Sequence, residues 1–187
     1  MESLYTIVAL PECNTLNLLN SLRERIYAEY LTEPRKPRSI VHITLAQLET
    51  TTPKDERIVN GMSQIGKKYL PLSLSDISIK TDPKNADSAQ SISNWIGLDI
   101  KSKELQDLSR DLQHYLQEMG IDDTTNYLKR AGFKNQIPLH FTLCPSCVQE
   151  KTQEVTNIIR KTIPKEIVIN TLALRTEAGE ILMEKPF

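Results

Sequence analysis

The sequence predicts an α+β fold, a bilobal and pseudo-symmetric sandwich in which two antiparallel sheets face a central cleft and the helices lie outside. Three observations carry that reading. A tetrapeptide recurs, His42-Ile43-Thr44-Leu45 and His140-Phe141-Thr142-Leu143, in a chain that holds only three histidines. Around each copy the apolar pattern runs in one order: strand, helix, motif strand, helix, strand. A polar stretch over 80–94, rich in Ser, Asp and Asn, separates the two runs. The 187 residues therefore read as a single domain of two lobes, about 1–80 and 95–187, joined by that polar loop.

Each element has its own signal. Leu4 to Leu10 is an apolar strand stopped by Pro11. Leu19, Leu22, Ile26 and Tyr30 recur at helical spacing, with Asn14 or Thr15 as the cap. A proline-broken basic loop, Pro34 to Arg38, leads into the His42 strand. Thr52-Pro53-Lys54-Asp55 predicts a second helix start, with the threonine as cap, and Ile58, Met62, Ile65 and Tyr69 form that helix's stripe. Leu72 to Ile79 reads as one strand with a bulge where the apolar phase slips between Leu74 and Ile77.

In the second half, Trp95 to Ile100 is strand-like, and Leu105, Leu108, Leu112, Tyr115 and Met119 make a helical stripe. The His140 strand follows. A helix around Val155, Ile158 and Ile159 ends before Pro164, Glu166 to Leu174 is extended, and a hairpin turns at Glu177-Ala178-Gly179 to return through Ile181 to Met183.

Composition narrows the function classes. Hydrophobic residues make up 39% of the chain, enough for a core, and no run of 18 apolar residues predicts a membrane span. The start lacks the basic-then-apolar order of a secretory leader, so a cytoplasmic protein is expected. A net charge of −1 argues against tight binding of long nucleic acid, yet leaves room for an RNA terminus, a short oligonucleotide or a cyclic nucleotide. Three cysteines read as thiols. Cys144 and Cys147 have C-x-x-C spacing, but no second half of a zinc site accompanies them, and a strand is an unusual place for a redox pair; a buried, inert pair is the expectation.

Residues i and i+2 of a strand share a face, so each motif projects an imidazole and a hydroxyl one way and two apolar side chains the other. Two such strands side by side would gather two imidazoles and two hydroxyls around one small volume. That set suits in-line opening of a phosphodiester: one imidazole removes a proton from water or a ribose hydroxyl, and the other protonates the departing oxygen. The threonine hydroxyls can donate to non-bridging phosphate oxygens. No metal and no cofactor is needed for these steps.

Paired His-x-Thr motifs flanked by apolar residues in a small bilobal chain resemble the 2H phosphoesterase superfamily. That group includes bacterial 2'-5' RNA ligase-like proteins, RNA cyclic phosphodiesterases and 2',5'-oligoadenylate phosphodiesterases. The resemblance implies that His42 and His140 are the acid–base pair, that Thr44 and Thr142 hold the phosphate, and that no metal takes part. One departure stands out: in the ligase-like branch an arginine often follows the second motif closely, and here Leu143 is followed by Cys144-Pro145.

Outside the motifs, Arg35, Lys36 and Arg38 precede the first copy, and Lys129, Arg130 and Lys134 precede the second. Arg38 and Lys134 are the expected contacts to further phosphates; a merely solvated loop is the alternative. Trp95, the single tryptophan, can stack on a base or anchor a core. His114 sits inside a helical stripe and receives no role. The expected protein is a monomeric phosphodiesterase acting on a 2',3'-cyclic phosphate or a 2'-5' linkage; the rival is a non-catalytic module that binds an RNA end or a nucleotide.

Overall fold

The computed structural model describes residues 3–31, 37, 39–84, 93–131 and 136–187. Within them the order of elements is β1 (Ser3–Pro11), α1 (Cys13–Glu29), β2 (Ile43–Thr50), α2 (Glu56–Tyr69), β3 (Leu72–Leu74), β4 (Ile77–Lys84), β5 (Ser93–Ile100), α3 (Lys103–Glu118), α4 (Thr124–Ala131), β6 (His140–Val148), α5 (Thr152–Thr162), β7 (Ile167–Thr176) and β8 (Ile181–Pro186). The fold is α+β with two antiparallel sheets, one running β2-β1-β7-β3 with β8 beside β7, the other β4-β5-β6. Among the described residues no helix is long and apolar enough to cross a membrane.

The sheets do not divide the chain at the polar loop. β7, from the second half, pairs with β1 and carries β8 on it, and β4, from the first half, pairs with β5. The first half lends its last strand and the second half its last two, so the halves interlock. The helices interlock too: α1 packs against β6 and α3 against β2.

Several local expectations are corrected. The phase slip between Leu74 and Ile77 marks a change of sheet: β3 ends on β7 at Leu74, and β4 begins on β5 three residues later, at Ile77. A bulge and a sheet switch both disturb the inside–outside alternation, so the sequence pattern alone does not separate them. The polar loop is shorter than 80–94, since β4 runs to Lys84 and β5 starts at Ser93; positions 85–92 lie outside the described residues. α2 starts a turn later than expected. Thr52 closes a turn by accepting the Asp55 N–H at 3.0 Å, and Asp55 is the cap, its carboxylate accepting the Arg57 N–H at 2.8 Å. α1 begins at Cys13, ahead of both expected caps, with Glu12 at the N-cap and no side-chain capping bond. The expected stripes of α1, α2, α3 and α5 do face the core, with Leu19, Ile26, Ile58, Met62, Leu105, Leu108, Leu112, Val155 and Ile159 buried.

Helix α4 had no stripe to announce it. Eight residues long, it is fixed by polar bonds to the free edge of β2. Asp123 N–H donates to the Gln47 carbonyl at 3.0 Å, and Gln47 N–H donates to Thr124 Oγ1 at 3.3 Å. The Arg130 guanidinium bonds Gln47 Oε1 at 3.0 Å and the buried Asp123 carboxylate at 2.6 Å. Lys129 and Arg130, read as loop cations, are therefore helical, and Arg130 is committed to holding α4 in place.

Candidate functional site

Motif strands β2 and β6 are edge strands of their two sheets and approach one another. In both motifs the inside–outside split holds: Ile43, Leu45, Phe141 and Leu143 are fully buried, and His42, Thr44, His140 and Thr142 are partly exposed. His42 immediately precedes β2, whereas His140 opens β6.

The two motifs share a distortion. Thr44 pairs with Val8 and Ala46 with Ile7, so Leu45 is the extra residue of a β-bulge; Thr142 pairs with Gly97 and Cys144 with Ile96, so Leu143 is the extra residue of another. A bulge turns two consecutive side chains to one face. Leu45 and Ala46 are accordingly both buried, as are Leu143 and Cys144. On the first strand the unladdered Leu45 carbonyl is satisfied from α3, by Ser109 Oγ at 2.6 Å and Gln113 Nε2 at 2.9 Å. The parallel extends to the rings. His42 Nδ1 lies 2.7 Å from the carbonyl of Ile40, and the His140 ring bonds the carbonyl of Pro138, each two residues upstream.

A carbonyl only accepts, so Nδ1 of His42 carries the proton and Nε2 presents its lone pair. The segment that supplies the Ile40 carbonyl is clamped by α1: Asn20 Oδ1 accepts the Val41 N–H at 2.8 Å, and buried Arg23 donates to the Ser39 carbonyl. A groove of about 670 Å³, lined by Asn17, Asn20, Arg23, Ser39, Ile40 and Ile181 among others, runs beside this segment and includes neither histidine.

Symmetry of the backbone is not symmetry of charge. Burial pushes the His42 imidazolium down to about 3; Arg175 beside the ring adds to the effect, the Ile40 bond opposes it, and Arg23 and the charge of His140 push the same way. Burial also lowers His140, but there Asp99 and Asp82 favour the charged form against the opposing Lys80. Asp99 sits directly across from His140 in the β5–β6 register.

Two residues that sequence reasoning passed over belong to this site. Arg175 Nη1 is 2.6 Å from His42 Nε2 and 3.4 Å from Nδ1. Tyr127, on α4, is hydrogen-bonded to Thr44 and feels the charge of Arg175. Arg175 stands one residue past the apolar run of β7 and next to a turn, where an arginine is unremarkable; a charged residue continuing a buried strand was the available signal. For Tyr127 the signal was the acid pair Asp122-Asp123 before Thr124, a helix-start pattern.

The other expected site residues fall as follows. Trp95 packs against His140, edge to face, with ring centroids 4.9 Å apart. Arg38 and Lys134, with Arg35 and Lys36, lie outside the described residues. Cys144 and Cys147 are buried, Cys13 is exposed, and none of the three is in a disulfide among the described residues. His114 is a surface residue 3.4 Å from Glu118. Among the described residues no group of three or more His, Cys, Asp or Glu could hold a metal ion.

No protein-family model matches the chain, and no curated protein matches it. Solved structures resemble it over its whole length at low identity. A crystal structure of a phosphoesterase is 13% identical, covering 99% of this chain and 95% of its own, with a TM-score of 0.45. E. coli LigT complexed with NADP+ is 13% identical over 100% of this chain and 96% of LigT, with a TM-score of 0.47. LigT complexed with 3'-AMP is 14% identical over the same shares, with a TM-score of 0.45. At this similarity the likeness assigns no role to any residue here.

Proposed function

We propose that this protein is a metal-independent phosphodiesterase that opens a 2',3'-cyclic phosphate or a 2'-5' linkage in a small RNA-like substrate, with His42 as general base and His140 as general acid. The observation that carries this reading is the pairing of one backbone device with two different sets of nearby charges. Both imidazoles are held by a carbonyl two residues upstream, and in both motifs a bulge falls at the residue after the threonine. Burial lowers both rings, but Arg175 and Arg23 add to it at His42, whose lone pair is on Nε2, while Asp99 and Asp82 oppose it at His140. A neutral imidazole takes a proton and a charged one gives it, so of the pair His42 is the one disposed to accept and His140 the one disposed to give.

In this scheme Nε2 of His42 takes the proton of water or of a ribose hydroxyl, whose oxygen attacks phosphorus. The bond from phosphorus to the leaving oxygen breaks, and that oxygen receives the proton of His140. Thr44 and Thr142 donate hydroxyl hydrogens to the non-bridging oxygens. Trp95 offers a ring for a base next to His140, and Arg38 and Lys134 are the proposed contacts for neighbouring phosphates.

The test is turnover of a 2',3'-cyclic nucleotide and of a 2'-5'-linked oligoadenylate in excess EDTA. His42→Ala and His140→Ala should each lose on the order of 10² to 10⁴ in turnover, and the double variant should lose less than the product. A ribonucleoside 2'-(4-nitrophenyl) phosphate, whose leaving group needs no proton, separates the roles: it should restore much of the rate to His140→Ala and little to His42→Ala. Near-wild-type turnover by either single variant on the natural linkages refutes the reading. Phosphate binding without turnover in folded wild type would favour the non-catalytic RNA-end module.

A further inference from the structure

We propose that Arg175 is the substrate-phosphate ligand of this site and a latch on His42: in the free protein its guanidinium lies against the imidazole at Nε2, and an anion in the cleft draws it off. The proposal rests on the reading of His42 as base and extends it to a residue outside both motifs.

Its first ground is geometric. Arg175 Nη1 lies 2.6 Å from His42 Nε2 and 3.4 Å from Nδ1, which in a rigid ring places the guanidinium nitrogen over the imidazole beside Nε2, while Nδ1–H is committed to Ile40. Nε2 is the atom a base must use, so in the resting site a positive charge stands against the base.

The second ground is charge. The charged or titratable groups bearing on His42 come from four packed elements: Arg175 from β7, Arg23 from α1 and His140 from β6 act on its ring, and Tyr127 from α4 meets Arg175. None of these groups is a carboxylate. Among the described residues Arg175 has no ion pair; its other bond is from Nε to the Thr176 carbonyl at 3.3 Å. A half-buried guanidinium without a counter-ion is costly, and the neutral imidazole beside it replaces only part of the lost hydration. A phosphodiester brings one negative charge and two non-bridging oxygens, which match the guanidinium fork.

The third ground is chemical need. A base held far below neutrality accepts a proton poorly. Moving Arg175 from the ring to the phosphate clears Nε2 and neutralises the nearest positive charge, so His42 becomes basic only when substrate is present. By linkage, phosphate and a proton on His42 must then favour each other's binding.

The test reads His42 itself by NMR of its ring nitrogens, with inorganic phosphate and then adenosine 2'-monophosphate as probes, in wild type, Arg175→Gln and Arg175→Lys. In the free protein Arg175→Gln should raise the His42 titration midpoint by at least ~1 pH unit. Saturating phosphate should raise the wild-type midpoint by a similar amount and leave that of Arg175→Gln nearly unchanged. Phosphate affinity should fall roughly tenfold or more in Arg175→Gln and less in Arg175→Lys, which keeps the charge but not the fork. Equal midpoints in wild type and a folded Arg175→Gln, or a wild-type midpoint indifferent to phosphate, overturn the proposal, and the second comparison needs no variant. Because nothing here depends on turnover, a failed latch and a failed phosphodiesterase are distinguishable.

Discussion

Trp95 stands edge-on to His140 at 4.9 Å between ring centroids, so the protein's only tryptophan reports on one of its two motif histidines. A protonated imidazole quenches indole emission, while a neutral one does so weakly. Tryptophan fluorescence should therefore fall as pH drops, with a midpoint below the ordinary histidine value because burial disfavours the charged ring. The transition should vanish in His140→Ala and persist in His42→Ala. A pH-independent emission in wild type would contradict the contact.

Gly97 makes that contact possible. It lies on β5 opposite Thr142, and a Cβ there would overlap the Trp95 ring and come within 2.6 Å of the Phe141 carbonyl oxygen. The ring could swing away, but the carbonyl belongs to the motif strand. Gly97→Ala should displace Trp95 from His140, abolish the fluorescence transition, and destabilise the fold by about 1–3 kcal/mol through overpacking. Chemical denaturation and the same pH scan measure both effects.

The depressed His42 value makes a stability prediction with a definite sign. A histidine at about 3 when folded and 6.5 when unfolded binds fewer protons in the native state, so stability is fully present above pH 6.5 and is lost as pH falls below it. Between pH 8 and pH 5 this one group should cost about 2 kcal/mol. His42→Gln should show a shallower loss over that range. Parallel stability curves for the two proteins would show that His42 does not remain neutral in the fold.

The Leu45 carbonyl offers a separate check on the bulge. Ser109→Ala or Gln113→Ala alone leaves it one partner, whereas the double variant strands a buried acceptor. Each single change should cost about 1 kcal/mol and the pair more than their sum, with the excess measured by a double-mutant cycle. Turnover should fall with the double variant, since the bulge sets the angle at which Thr44 faces the cleft. Simple additivity would mean that water satisfies the carbonyl.

The repeated His-x-Thr-Leu, the helical stripes and the final hairpin were legible because each is a local pattern: hydrophobic period and turn chemistry are written in neighbouring residues. Those patterns gave the α+β class, the order of most elements and the inward and outward faces of both motifs. They even contain the shared bulge, in the consecutive buried pairs Leu45-Ala46 and Leu143-Cys144, though only the pairing register identifies it. Tertiary structure decided what depends on residues far apart in the chain. The exchange of β4 and β7 between sheets is a choice of partner, which no local period encodes. So is the meeting of Arg175 with His42 across 133 positions, and with it the electrostatic difference between two histidines whose sequence settings are nearly the same. Neighbouring residues along the chain fix which side chains of each motif point away from the core; the fold decided which charges surround each of them, because a field sums over neighbours in space and not along the chain.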